Sequence, residues 1–171
     1  ISPFSKAISN FSDDGILFFG AYGPRVRDQL GHVVQSLLVD NDSRQAVITI
    51  WRPNPRQSKD IPCTISCQFM IRDGRIHCFM NMRSSDAWLG VPYDWFNFSM
   101  LAAGVCLLLR EKGVKVGLGA LHFYAASQHL YEENWEKAET CLTGEILGDY
   151  EPLDLDKFND YDHLVNHLWA V

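Results

Sequence analysis

The sequence predicts an α+β fold, a mixed sheet with a buried helix packed on it. Three observations carry this. First, the runs "TISCQFMI" (64–71) and "RIHCFMNM" (75–82) are joined by "RDGR", and Asp-Gly between alternating apolar runs is a strong hairpin signal. Second, an apolar stretch from about Trp95 to Leu109 holds Asn97, Ser99 and Gly104. It is shorter than the roughly 20 residues needed to cross a bilayer and reads as a buried core helix. Third, Leu30, Val33, Val34, Leu37 and Leu38 recur at helical spacing ahead of the strands.

In chain order, "SDDG" followed by "GAYGP" is turn chemistry. The amphipathic helix in "RDQLGHVVQSLLVDND" runs out in Asn-Asp-Ser. "RQAVITIWR" (44–52) is rich in β-branched residues and reads as a strand that stops at the proline-rich loop "PNPRQSKDIP". The hairpin follows, then the loop "RSSDAWLGVPYD" and the buried helix. "GLGALHFYAASQHLY" (117–131) reads as one further strand, and "NWEKAETCL" as a short helix capped by Asn134. The acidic tail from Gly148 is expected to form a surface loop and a last helix. There are no repeats, and the whole of 1–171 is expected to form one domain.

Composition narrows the function. Of the 171 residues, 47% are hydrophobic and 21% charged, as in an ordinary globular protein. A net charge of -6 argues against a general binder of nucleic acid or anionic membranes, and neither is expected as a partner. The five cysteines (Cys63, Cys67, Cys78, Cys106, Cys141) are odd in number and lack metal-type spacing, so no metal site is expected. Reduced thiols and the absence of a visible signal peptide point to a cytoplasmic setting.

Several residues are candidates for chemistry. Cys63 follows a proline between loop and strand, and is either a core thiol or a nucleophile activated by a nearby cation. Arg44, Arg52, Arg56 and Arg83 are candidates for that cation. Arg83 with Ser84 and Ser85 at a strand end suits a phosphate, or is a surface turn. His129 and Tyr131 alternate on one strand face, as a sugar-binding pair or a core pair. Asp94, between Tyr93 and Trp95, either caps the buried helix or faces a ligand that wants a carboxylate.

Taken in order, these motifs resemble the thymidylate synthase superfamily from about Tyr22 to Tyr131. "AYGPRVRDQL" looks like the family's Tyr-Gly motif, and "DSRQAVITIWRP" like its Ser-Arg-Arg strand, with Arg44 at the first arginine and Gln45 in place of the second. "IPCTISCQF" is similar to the nucleophile motif, making Cys63 the nucleophile and Gln68 the matching glutamine, with Thr64 in place of the usual His. "MRSSDAWLGVPYD" is similar to Arg-Ser-x-Asp-x-x-Leu-Gly-x-Pro-Phe-Asn, and "HLY" to His-x-Tyr near the nucleotide sugar.

The resemblance implies catalytic roles for Cys63, Asp94 and Tyr22. It implies substrate contacts from Arg44, Gln68, Arg83, Ser84, Ser85, Asp94, His129 and Tyr131. Asp86, Trp88, Leu89 and Gly90 would meet 5,10-methylenetetrahydrofolate, the one-carbon cosubstrate. A sheet-to-sheet homodimer is implied, with Arg44 reaching the partner's phosphate. One departure sets the expected substrate: Asp94 stands where the synthases have Asn. An amide can donate to uracil O4 and accept from N3–H, whereas an ionised carboxylate accepts from cytosine N4–H and can stabilise a proton arriving on N3. Asp94 therefore looks like the device of the cytidylate (CMP/dCMP) 5-hydroxymethylase branch. Small residues at Ala125 and Ala126 leave CMP and dCMP both open. The alternatives are a thymidylate synthase acting on dUMP and a non-catalytic nucleotide-binding relative. The family's N-terminal section, with a phosphate-loop arginine and a glutamate that orders water, is expected to be missing before Tyr22. The ending "HLWAV" has no match to the segment that closes over the folate.

Overall fold

In the computed structural model, residues 11–144 and 153–169 are described. Helix α1 (Tyr22–Val39) is followed by strands β1 (Val47–Thr49), β2 (Thr64–Arg72), β3 (Arg75–Met82) and β4 (Ser85–Asp86). Then come α2 (Gly90–Glu111), β5 (Gly117–Ala125), β6 (Gln128–His129), α3 (Trp135–Thr143) and α4 (Tyr161–Trp169). The main sheet has the order β1-β2-β3-β5, with β1, β2 and β3 antiparallel in sequence and β5 parallel to β3. This is the mixed sheet the sequence predicts, covered on one face by α1 and α2.

The β2–β3 hairpin turns at Asp73 and Gly74, both at positive φ (50° and 67°), the backbone that Asp-Gly supplies at low cost. Along β2 and β3, Cys67, Phe69, Ile71, Ile76, Cys78, Met80 and Met82 point to the helix face and are buried. They meet Val33 and Leu37 of α1 and Ala103, Val105, Cys106, Leu107 and Leu109 of α2. Each large buried side chain there contributes roughly 1.5–3 kcal/mol by removal from water. Gly104 is required where α4 docks, since a Cβ there would lie 2.9 Å from the Tyr161 ring. Arg110 pairs with Asp156 at 2.9 Å and helps hold the segment that leads into α4.

Five expectations need correction. Helix α2 begins at Gly90, not Trp95, so Asp94 lies a full turn inside it and caps nothing. Asp86 instead holds the turn ahead of the helix, its carboxylate accepting from the amides of Trp88 and Leu89, each at 3.0 Å. Helix α1 likewise begins at Tyr22, and Gly23 and Pro24 form its first turn, where a proline's missing N–H costs no hydrogen bond. The strand expected over 44–52 shrinks to Val47–Thr49, because the amides of Ile50 and Trp51 both turn to the Ile65 carbonyl at 2.9 Å. The strand expected over 117–131 breaks after Ala125, and Gln128–His129 pairs with β4 instead. Asn134 is buried in helical backbone geometry and makes no side-chain cap to α3. The last helix is present as α4, while residues 145–152 of the expected surface loop and the last two residues of "HLWAV" lie outside the described residues.

Replacing Asp86 by Ala should cost about 1 kcal/mol, the usual loss for a helix-start acceptor. Burial alone would raise the Asp86 carboxyl. The amides of Trp88, Leu89 and Gly90 and the charge of His129 more than offset this and hold it below its ordinary value. The folded-state pKa is thus depressed, so this stabilisation is present above the ordinary carboxylate range and is lost as pH falls through the folded value. Thermal melts of D86A and the natural chain should therefore converge on acidification.

Candidate active site

Cys63 stands where the proline-rich loop enters β2. The β2–β3 register shifts between Thr64 and Ser66, and such a bulge re-aims a strand end. The Arg83 amide donates to the Cys63 carbonyl at 2.9 Å, so the end of β3 is clipped beside the thiol. The Arg83 guanidinium donates through Nε to the Pro62 carbonyl (3.1 Å) and through Nη2 to that of Ile61 (3.3 Å). It also lies 5.8 Å from the centre of the Trp51 ring, a cation–π contact. Of the four arginines considered from sequence, Arg83 is the one whose charge reaches the Cys63 thiol. Burial outweighs it and, with the negative charge of Asp94, leaves the thiol above its ordinary value.

The other described cysteines are free thiols, and Cys67, Cys78 and Cys106 are buried. Burial pushes the Cys67 thiol up to about 12 and raises Cys78 and Cys106 as well. Iodoacetamide at mildly alkaline pH should label exposed Cys141 first and half-buried Cys63 second, and the remaining three only after unfolding. Peptide mass mapping checks this order, and adding a nucleotide that covers the site should protect Cys63 alone.

Tyr22, the first residue of α1, accepts a hydrogen bond from the Thr64 amide at 2.9 Å. Its hydroxyl therefore sits beside the residue that follows Cys63, with its own proton free to donate. Burial raises the Tyr22 pKa despite the opposing Thr64 contacts, and the charges of Asp94 and Cys63 raise it further. Asp94 points inward from the first turns of α2 without a hydrogen-bond donor among the described residues, and burial lifts its carboxyl to about 6. Cys63, Tyr22 and Asp94 thus share one neighbourhood. Tyr22 and Asp94 also form one end of a cleft of about 530 Å³ between α1 and α2, whose walls include Val26, Leu30, Phe98 and Leu101, with Tyr161 of α4. A volume of this order suits a small molecule.

The remaining predicted residues divide. His129 and Tyr131 meet edge to face, with ring centres 4.9 Å apart, and the Ala87 amide donates to the His129 carbonyl at 2.8 Å. This pair sits next to β4, on the same small sheet as Ser85 and Asp86. Ser84 is half-buried at the end of β3, whereas Ser85 is buried, 2% exposed, and its hydroxyl has no partner. Trp88 and Leu89 lead into α2, whose first residue is Gly90, and Leu89 and Tyr93 are exposed. Arg44 and Gln68 are not brought to Cys63. Gln68 lies on the open face of the sheet, opposite Phe79, and donates to the Arg44 carbonyl at 2.6 Å. Ala125 ends β5 half-buried against the core, and Ala126 lies beyond it.

Three contributors were not singled out from sequence. Trp51, under Arg83, was visible only as the end of a strand. Buried Arg25 donates to the carbonyls of Phe19 and Ile50 and ties α1 to the strand end at Ile50. Tyr161 comes from the C-terminal helix, and no local pattern signals its place in the cleft. Among the described residues, no group of His, Cys, Asp and Glu is placed to hold a metal ion, and no helix is long and apolar enough to cross a membrane.

Comparison with known proteins converges on the same region. Residues 8–164 match the thymidylate synthase family model. The chain is 34% identical over 143 residues to the deoxyuridylate hydroxymethyltransferase of Pseudomonas phage M6, covering 78% of this chain and 39% of that protein. Thermostable thymidylate synthase A from Bacillus subtilis has the same fold, with a TM-score of 0.64 at 20% identity over 78% of this chain and 47% of that one. The chain spans less than half the length of either protein. The phage relative's name joins hydroxymethyl transfer to deoxyuridylate, not to cytidylate.

Proposed function

From the premise that the chain belongs to the thymidylate synthase family, we propose that it hydroxymethylates C5 of a cytidine monophosphate, CMP or dCMP. One observation carries the reading: Tyr22 links the backbone next to Cys63 with the neighbourhood of Asp94, so that the nucleophile and the base-reading acid lie within reach of each other's charge.

The Cys63 thiol gives up its proton and its sulfur bonds to C6 of the pyrimidine. Electron density moves to C5, which attacks the one-carbon unit of 5,10-methylenetetrahydrofolate. The C5 proton is then lost to a base, tetrahydrofolate departs unoxidised, water adds to the resulting exocyclic methylene, and expulsion of Cys63 restores the ring. With its pKa near 6, Asp94 holds or releases a proton close to neutral pH, which suits delivery to N3 as the thiolate adds. Arg83 and Ser84 hold the phosphate, and His129 and Tyr131 the sugar. Asp86, Trp88, Leu89 and Gly90 border the cosubstrate. A homodimer in a reducing cytoplasm completes the proposal, with the open sheet face, where Phe79 stacks on His122 at 4.2 Å, as the contact surface.

A second reading, deoxyuridylate as substrate, is favoured by the phage relative and by the raised Asp94 pKa. A protonated Asp94 presents one donor and one acceptor, as an amide does. Tritium release from 5-tritiated CMP, dCMP and dUMP, with and without methylenetetrahydrofolate, separates the readings. Folate-dependent release from a cytidylate supports the first. Release from dUMP alone supports the second. Release from none leaves a non-catalytic nucleotide-binding relative. Formation of dihydrofolate would show a reducing synthase instead.

A further inference from the structure

An acid that carries a proton can meet either pyrimidine edge, because exchanging its two oxygens exchanges donor and acceptor. Directional reading therefore needs a protein group that fixes which oxygen accepts. Asp94 has no such partner on its own helix. Two buried hydroxyls among the described residues have no hydrogen-bond partner, those of Thr64 and Ser85, and Ser85 is the one that shares the surroundings of Gly90 with Asp94. Its hydroxyl is buried with the residue only 2% exposed, and it makes no hydrogen bond. A buried hydroxyl without a partner is costly, and native structures keep few of them.

Gly90 brings the two side chains into relation. A Cβ built on Gly90 would lie 3.9 Å from Ser85 Oγ and 3.9 Å from Asp94 Oδ2. The two oxygens therefore border the same position, where the atom nearest to such a Cβ would be Asp86 Cβ at 3.3 Å. Ser85 is itself fixed from behind, since its amide donates to the Ser127 carbonyl at 2.9 Å in the small β4–β6 sheet. Tyr22 accepts from the Thr64 amide at its hydroxyl oxygen, and Cys63 is read as the nucleophile.

We propose that Ser85 is a positioning residue for Asp94. When a base enters, the carboxyl turns Oδ2 toward the Ser85 hydroxyl, which donates to it. Oδ2 is thereby fixed as an acceptor, and Oδ1 is left to exchange a proton with the base. This replaces the expectation that Ser85 touches the phosphate, which its burial does not favour. The inference rests on the reading of Asp94 as the group that recognises the base.

The test is a double-mutant cycle in the full chain, read by calorimetric titration with dCMP and with dUMP. Ser85→Ala should reduce the preference between the two nucleotides about tenfold, the loss expected for one hydrogen bond to a charged group. In an Asp94→Ala background the same change should alter the preference less than twofold, since the group it orients is gone. Ser85→Cys, of similar size but a weak donor, should behave like Ser85→Ala and carries the test if the alanine variant does not fold. Equal effects of Ser85→Ala in the two backgrounds would make Ser85 a packing residue and overturn the proposal. So would an unchanged preference in Ser85→Ala. An unchanged preference in Asp94→Asn alone would overturn the base-reading role of Asp94, and this proposal with it. The first two failures leave that role standing, so the two readings fail separately.

Discussion

Replacing Cys63 by Ala is expected to abolish tritium release from every pyrimidine nucleotide, by on the order of 10⁴-fold or more, the scale seen when a covalent nucleophile is removed. The other four cysteines cannot substitute. Cys67, Cys78 and Cys106 are buried in the core, and Cys141 lies on α3, away from the cleft. Cys141→Ala serves as the control and should leave release unchanged. The pH dependence carries a further check. Burial holds the Cys63 thiol above its ordinary value in the free protein, so the reactive thiolate is scarce at neutral pH and grows as pH rises. The rate of Cys63 alkylation should therefore still be climbing where an ordinary exposed thiol has levelled off. Arg83 lowers that thiol pKa, and Arg83→Gln should move the profile further to alkaline pH. A C63A variant that still releases tritium would remove Cys63 from the mechanism.

Much of the fold was legible because it rests on short-range signals. Asp73-Gly74 demanded the hairpin, and the β2 and β3 runs alternate strictly enough to fix which face is buried. Two helix starts were misplaced for one reason. Gly23-Pro24 and Gly90-Val91-Pro92 read as loop punctuation, yet glycine and proline in a first turn cost few hydrogen bonds. That shift decided the place of Asp94: with α2 starting at Gly90, Asp86 holds the preceding turn and Asp94 lies inside the helix. The split of 117–131 into β5 and β6 could not be read locally. It follows the neighbouring chain, where the Arg83 amide leaves the sheet for Cys63 and β4 forms its own ladder. The site was legible in part. Motif order named Cys63, Tyr22, Arg83 and Asp94, and the structure gathers them. The placement of Gln68 on the open face and the burial of Ser85 depend on strand parity after a bulge, which spacing alone does not reveal.

Asp94→Asn should invert the base preference. An amide in place of the carboxyl can donate to O4 and accept from N3–H of uracil, and it has no proton to deliver to cytosine N3. Each mismatched buried edge group costs about 1–3 kcal/mol, so a swing of about 10²-fold in the dCMP-to-dUMP ratio is expected. Competition between the two labelled nucleotides in one reaction measures that ratio directly. Stability gives an independent reading of the same carboxyl. Burial raises Asp94 from its ordinary value near 3.8 to about 6 in the folded chain. A raised folded-state pKa means that its contribution is fully present below about 4 and is lost as pH rises through about 6. Asn has no such titration. The natural chain should therefore lose thermal stability relative to D94N between pH 4 and pH 6, and the gap should stay constant above that window. Melts that remain parallel across the window would show that the Asp94 carboxyl is solvated rather than held against the apolar cleft. Its part in reading the base would then have no physical support.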